Sequence, residues 1–159
     1  MIRRATADDA LAIAALYHDT VKKINSRDYA PAQIQAWAGV TPDEEKWRAR
    51  QTSRTTFVDE LDGIIRGFAE LEDNGHIGAV YVHADYQREG IASALLGEIE
   101  KEAVARGATC LSTEASITAR PFFEKCGFET VAVQDVEYLE QIFRNYRMHK
   151  QLNQTMEPL

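Results

Sequence analysis

Cysteine is scarce in this sequence, with two residues, Cys110 and Cys126, in a chain of 159. They form no CxxC pair and no metal-ligand cluster, which excludes a disulfide-stapled fold and a zinc site and points to buried thiols in a reducing compartment. Long apolar runs are missing too. None approaches the roughly 18 residues of a membrane span, and Met1-Ile2-Arg3-Arg4 leads straight toward a helix start instead of a signal-peptide apolar region, so the cytoplasm is the expected location. Basic residues are outnumbered, 18 Lys and Arg against 25 Asp and Glu, for a net charge of −7. That balance opposes nonspecific binding to nucleic acid or anionic lipid and favours a cationic substrate. GxGxxG and GxxxxGK[ST] are both absent, which argues against a nucleotide-binding domain. No repeat, low-complexity segment or linker interrupts the chain, read here as a single domain over 1–153 with a frayed tail over 154–159. A chain of this length buries roughly 68–70% of the surface its unfolded form exposes and requires no staples.

What is present reads as helices first and strands later. Ile2–Arg4 serves as a first strand, and Thr6-Ala7-Asp8-Asp9 is a capping-box variant opening a helix whose Leu11, Ala14, Ala15, Val21 and Ile24 leave one face apolar. A second helix begins at Pro31, with Tyr29 and Ile34 placed to staple its start, and a third follows Thr41-Pro42-Asp43-Glu44. From Thr55 the period changes: Thr56–Glu60, Ile64–Leu71 and Ile77–His83 are separated by turns at Asp62-Gly63 and Asp73-Asn74-Gly75, giving three antiparallel strands. A helix over Gly90–Arg106 stops at Gly107, and Cys110–Glu114, reached by this helical crossover, is expected to run parallel to Ile77–His83. Thr118 is read as the cap of a short helix that Gly127 ends, and Thr130–Val136 and Ile142–His149 form a closing hairpin. The order gives an α+β fold with a mixed sheet.

The stretch Ala79–Leu96 carries the main functional signal. An apolar strand runs through Gln87-Arg88-Glu89-Gly90-Ile91-Ala92 into a helix that buries Ile91, Leu95 and Ile99. Several unpaired N–H groups point out of that helix start with the positive end of its dipole behind them, which makes an anion cradle. Gly90 lets a phosphate approach the backbone, and the small Ala92 and Ser93 keep the first turn open. The same residues also fit an ordinary strand–loop–helix unit in which the glycine is only a turn residue.

Gln87-x-x-Gly90-x-Ala92, after an apolar strand and before a helix, resembles the acyl-CoA pyrophosphate loop of the GNAT superfamily of acyl-CoA-dependent N-acyltransferases. Ala119-Arg120-Pro121-Phe122-Phe123-Glu124-Lys125-Cys126-Gly127-Phe128 is similar to that family's late helix and its Gly-Phe exit. Glu114-Ala115-Ser116-Ile117-Thr118-Ala119, with Ala36-Trp37-Ala38, looks most like the YafP-type branch, and the resemblance spans nearly the whole chain. It implies a GNAT-like mixed, mostly antiparallel sheet of about six to seven strands with helices on both faces. The implied activity is transfer of an acetyl group from acetyl-CoA to a primary amine of a small molecule or peptide, by direct attack in a ternary complex. The implied partners are acetyl-CoA and an amine acceptor, with room for a homodimer and with no metal. A noncatalytic acyl-CoA-binding module is the alternative.

Residue by residue, the resemblance assigns the pantetheine arm to Val80-Tyr81-Val82, with the N–H of Val82 as oxyanion donor, and the phosphates to Gln87, Arg88, Glu89, Gly90, Ile91, Ala92 and Ser93. It adds Ser116, Phe122 and Phe123 to the cofactor site. Phe123 departs from the pattern, because many relatives place there a Tyr that can protonate the leaving thiolate. An alkyl amine of pKa about 10.4 is protonated at pH 7, and deprotonating it costs nearly 5 kcal/mol at about 1.4 per unit, so a base is needed. His76 shares a face of its strand with Val80 and Val82 by the two-residue repeat, with only Gly78 intervening, and falls where some GNAT enzymes carry a glutamate base. Glu114, at the exit of the parallel strand, is the rival. Glu70 and Glu72 are weaker, since a charged strand edge explains them. Tyr29, Gln33 and Trp37 are the expected acceptor pocket, with core packing as the competing explanation.

Overall fold

The computed structural model of the chain describes residues 1–152. The expected tail over 154–159 and the domain limit at 153 lie outside the described residues. Its strands are β1 (Ile2–Arg4), β2 (Thr55–Leu61), β3 (Ile64–Leu71), β4 (His76–Val82), β5 (Cys110–Ser116), β6 (Glu129–Tyr138) and β7 (Gln141–Gln151). Its helices are α1 (Ala10–Lys23), α2 (Pro31–Ala38), α3 (Glu44–Arg50), α4 (Ile91–Ala105) and α5 (Arg120–Lys125). The strands form one seven-stranded sheet in the order β1-β2-β3-β4-β5-β7-β6. Every neighbouring pair is antiparallel except β4 with β5. The expected α+β fold with a mixed, mostly antiparallel sheet is the one observed.

Alternation along the strands builds a core on each face. On one face α4 lays Leu95, Leu96 and Ile99 against Leu71, Ile77, Leu111 and Met148. On the other, Ile13 and Leu16 of α1 and Trp47 of α3 cover Val58, Phe68 and Ala79. Fully burying each of the larger aliphatic side chains contributes about 1.5–3 kcal/mol, so these two layers fix where α1 and α4 sit on the sheet. The α2 start is built as its sequence implies: Tyr29 and Ile34 pack together, and the Ala30 N–H donates to Gln33 Oε1 at 2.7 Å.

Some expectations need correction. Thr118 does not cap α5, which begins at Arg120; Ser116 Oγ accepts from the Ala119 N–H at 3.0 Å, while the Thr118 hydroxyl donates to Asp28 at 2.8 Å. The closing hairpin is longer than expected, because its turn is Leu139-Glu140, both at positive φ (48° and 65°), which carries no glycine or asparagine to announce it. Cys110 and Cys126 are free thiols and only partly buried. Glu70 is not a strand-edge charge. It lies fully buried on the interior strand β3, held by Arg50, whose Nε donates at 2.9 Å, and by Arg54 at 2.8 Å.

Candidate functional site

Strand β4 leaves its parallel neighbour almost at once. It pairs with β5 only at His76↔Ser112 and Ile77↔Thr113, and from Gly78 onward the two strands diverge. The divergence starts at a bulge: in the β3 ladder Glu70 faces Ala79 and Leu71 faces Ile77, so Gly78 is the extra residue. Glycine is required there, because an added Cβ would run into the Glu70 carboxylate and come within 3.3 Å of Arg50. The gap opens into a cleft of about 1000 Å³.

Two side chains hold the far end of β4. The Val82 carbonyl accepts from Thr20 Oγ1 at 3.1 Å and from Gln87 Nε2 at 2.8 Å. In a strand the N–H and C=O of one residue point to the same edge, and the His83 N–H already donates to Arg66 on the β3 side. The Val82 N–H therefore faces the gap. Gln87 acts through its side chain as a buttress of β4, a role its motif position does not reveal.

Beyond Gln87 the chain passes through Arg88 and Gly90, at φ 63° and 80°, and enters α4. The intrahelical ladder starts with the Ala94 N–H donating to the Gly90 carbonyl at 3.0 Å, so the N–H groups of Ile91, Ala92 and Ser93 have no partner one turn earlier. They open on the cleft together with the dipole of a 15-residue helix. Arg88 in the left-handed region is strained for a residue with a side chain, as at many functional turns. A Cβ on Gly90 would meet no protein atom within 4 Å, so its direction is open to a ligand.

The cleft gathers every candidate residue of the sequence except five: Val80, Tyr81, Val82, Gln87, Arg88, Gly90, Ile91, Ala92, Ser93, Glu114, Ser116, Phe122, Phe123, Tyr29 and Trp37 line it, and His76, Glu89, Gln33 and the weaker candidates Glu70 and Glu72 do not. The bulge explains His76. It breaks the two-residue repeat, so that Ile77 packs in the α4 core beside Val80 and Val82, while Ala79 and Tyr81 turn to the α1 side. The face argument for His76 therefore fails; its Nδ1 lies 2.9 Å from Ser112 Oγ and its Nε2 3.9 Å from Glu72. Gln33 is occupied at both ends, capping α2 and donating to the Ile142 carbonyl at 2.7 Å.

Tyr29 lines the cleft as a wall, its hydroxyl donating to the Arg144 carbonyl at 2.8 Å and accepting from the Ile117 N–H at 3.0 Å. Burial against Tyr17 and Phe68 pushes the Tyr81 phenol well above its usual value and keeps it neutral. Phe123 is 3% exposed, edge-on to Phe122 and Phe128 at 5.2 and 5.1 Å. Glu114 is the one carboxylate lining the cleft among the described residues, and it makes no ion pair within 4.0 Å there. Its cross-strand neighbour is Arg147. Sequence reasoning missed Thr20, Asn25, Tyr138, Phe143, Arg144 and Asn145, which the end of α1 and the β6–β7 hairpin bring to the cleft. Only tertiary contact places them, although Ile24-Asn25 closes an amphipathic helix and so marks where polar groups leave its apolar face.

A family model described as an acetyltransferase (GNAT) domain matches residues 25–152. The uncharacterised N-acetyltransferase YafP of Escherichia coli K12 is 34% identical over 147 residues, covering 92% of this chain and 93% of its own. A solved GCN5-related N-acetyltransferase from Rhodopseudomonas palustris, described also as a class-II aminotransferase, superposes with a TM-score of 0.91 at 34% identity, covering 96% of this chain and 95% of that one. The PaiA N-acetyltransferase of Thermoplasma acidophilum, solved in complex with coenzyme A, has a TM-score of 0.77 at 20% identity, covering 96% and 98%, and shares the fold.

Proposed function

Because the chain belongs to the GNAT family of acyl-CoA-dependent acetyltransferases, we propose that it moves an acetyl group from acetyl-CoA to a primary amine by direct attack in a ternary complex. The observation that carries the reading is the early separation of β4 from β5, which leaves one strand edge open beside the free amides of α4. The residues present fit coenzyme A: an extended arm needs unpaired strand groups, and a pyrophosphate needs converging N–H donors with room at the backbone. Solved PaiA with its bound coenzyme A supports a cosubstrate of this type.

When bound, acetyl-CoA supplies an activated thioester. Val80 and Val82 hold its arm along the open edge of β4, and Ile91, Ala92 and Ser93 receive the pyrophosphate. The Val82 N–H, aimed into the gap by the two hydrogen bonds on its own carbonyl, donates to the oxygen on which charge develops. Ser116, whose oxygen accepts from the Ala119 N–H just ahead of α5, retains its O–H to donate to the arm. Glu114 takes the proton of the incoming ammonium, directly or through one water, being the carboxylate that faces the cleft. His76 stands off the cleft against Ser112 and acts at most through it. Phe123 has no proton to give, and the thiolate of coenzyme A leaves as such and is protonated by water.

The experiment is thiol release from acetyl-CoA with a panel of primary amines, with the acetylated product identified by mass spectrometry. Acetyl-amine formed in step with free thiol is the expected result. Coenzyme A binding without transfer to any amine would reduce the chain to a binding module.

A further inference from the structure

The cleft extends well past the strand edge that would hold a thioester, and the walls of that second half are of one kind. Trp37 stands edge-on to Tyr29 at 5.2 Å and to Phe143 at 6.1 Å, and Tyr138 lies 6.5 Å from Phe143. The Tyr29 hydroxyl is consumed by two backbone groups, so it offers a ligand only its ring. Glu114 and Asn25 are among the polar groups beside these rings. Glu114 supplies a carboxylate without an ion pair. Asn25, a residue 4% exposed, lines the same half of the cleft. Its carboxamide is a polar group of the kind that a ligand's hydroxyl, carbonyl or amide can meet.

What this half lacks is a cation left over for an anionic ligand. Three cations line the cleft, Arg88, Lys125 and Arg144. Arg88 belongs to the turn before α4 and Lys125 to the end of α5, both on the cofactor side. Arg144 is already engaged, its Nε and Nη2 donating to the two oxygens of Asp135 at 3.0 and 3.3 Å, and it holds the Asp135 carboxyl below the usual range. An acceptor carrying its own carboxylate would meet Glu114, whose cross-strand neighbour Arg147 does not line the cleft.

We propose that the acceptor is a small primary amine with a flat apolar body and no carboxylate or phosphate, its ammonium taken by Glu114 and its ring received against the wall that Trp37 and Phe143 form. This rests on the acetyl-transfer reading above and names the class of amine that reading leaves open. Amino acids with a free α-carboxylate are excluded by charge, and short unbranched amines by the unfilled aromatic walls.

The test uses matched acceptors with the full chain and acetyl-CoA: 2-phenethylamine, phenylalaninamide, phenylalanine and ethylamine, compared by kcat/KM from thiol release. Like-charge juxtaposition makes phenylalanine poorer than its amide by about 100-fold or more, and loss of the ring makes ethylamine poorer than 2-phenethylamine by about 10- to 100-fold. Trp37→Ala should raise KM for 2-phenethylamine several-fold more than for ethylamine. A second readout is independent of turnover: 2-phenethylamine should quench the Trp37 fluorescence of the coenzyme A complex, and Trp37→Phe should abolish that quenching. Phenylalanine used as well as its amide, or ethylamine as well as 2-phenethylamine, overturns the inference. So does coenzyme A binding, measured calorimetrically, with acetylation of other amines but none of these. Failure to bind coenzyme A at all would instead overturn the acetyl-transfer reading and this inference with it.

Discussion

Gly90 and Gly63 make a matched pair on which the cofactor assignment can be tested. Both sit in the left-handed region, at φ 80° and 78°, and a Cβ at either meets no protein atom within 4 Å. Gly63 belongs to the turn between β2 and β3, and Gly90 opens α4. Replacing either with alanine therefore imposes the same strain, about 1–2 kcal/mol for an L-residue in that region, and the same small fall in Tm. Ligand binding should separate them. A Cβ at Gly90 projects into the space where a pyrophosphate would approach the amides of Ile91, Ala92 and Ser93, and losing one charge-assisted hydrogen bond costs about 1.5–3 kcal/mol. Gly90→Ala should then weaken coenzyme A by about 10- to 100-fold, while Gly63→Ala leaves Kd unchanged. Calorimetric titration of both variants, beside their thermal unfolding, checks this. Equal coenzyme A affinities in two equally destabilised variants would refute the placement of the phosphates at this turn.

Glu114→Gln should remove the ascending limb of the pH profile of kcat/KM and cost about 100- to 10,000-fold in rate for an acceptor that is protonated at neutral pH. The sign follows from a general base being active only when deprotonated. His76→Gln should leave that limb in place, and its disappearance there would return the base to His76. Phe123→Tyr should preserve or raise turnover by placing a donor near the departing sulfur, and a fall of kcat with intact coenzyme A affinity would count against the water-protonated thiolate. Gly78→Ala forces a methyl against the Glu70 carboxylate and Arg50. Overpacking costs about 1–3 kcal/mol, which at about 2–4 °C per kcal/mol for a chain of this size lowers Tm by about 2–12 °C, and an unaltered Tm would deny the bulge its supporting role.

Local chemistry was legible wherever local chemistry decides the structure. Pro31 with the Tyr29–Ile34 staple, the Asp62-Gly63 turn and the Gln87–Gly90 corner each act over a few residues, and each was readable from them. The order of elements sufficed for the mixed sheet, because a helical crossover between β4 and β5 leaves little choice of direction. The bulge was not legible as such, although a glycine inside a strand is the usual mark of one. Missing it moved His76 onto the wrong face, since one extra residue reverses every side chain beyond it. Glu70 was misjudged for a related reason: its two arginines come from α3 and the segment after it, and no spacing announces a buried ion pair. The walls of the cleft's second half come from α2, the end of α1 and the β6–β7 hairpin, which meet only in the fold. Gln33 shows the converse, since its amide is occupied by a cap and by a carbonyl of β7.

The central claim is that acetyl-CoA lies along the open edge of β4 with its phosphates on the first turn of α4. Backbone amide resonances followed during titration with coenzyme A test it most directly. The account predicts that the largest shifts fall on Val80, Val82 and Gly90 through Ser93, with Asp62 and Gly63 unmoved. Shifts centred instead on the α1–α2 surface around Lys22, Gln35 and Val40, where a smaller cavity of about 440 Å³ lies, with the β4 and α4 amides unchanged, would contradict it.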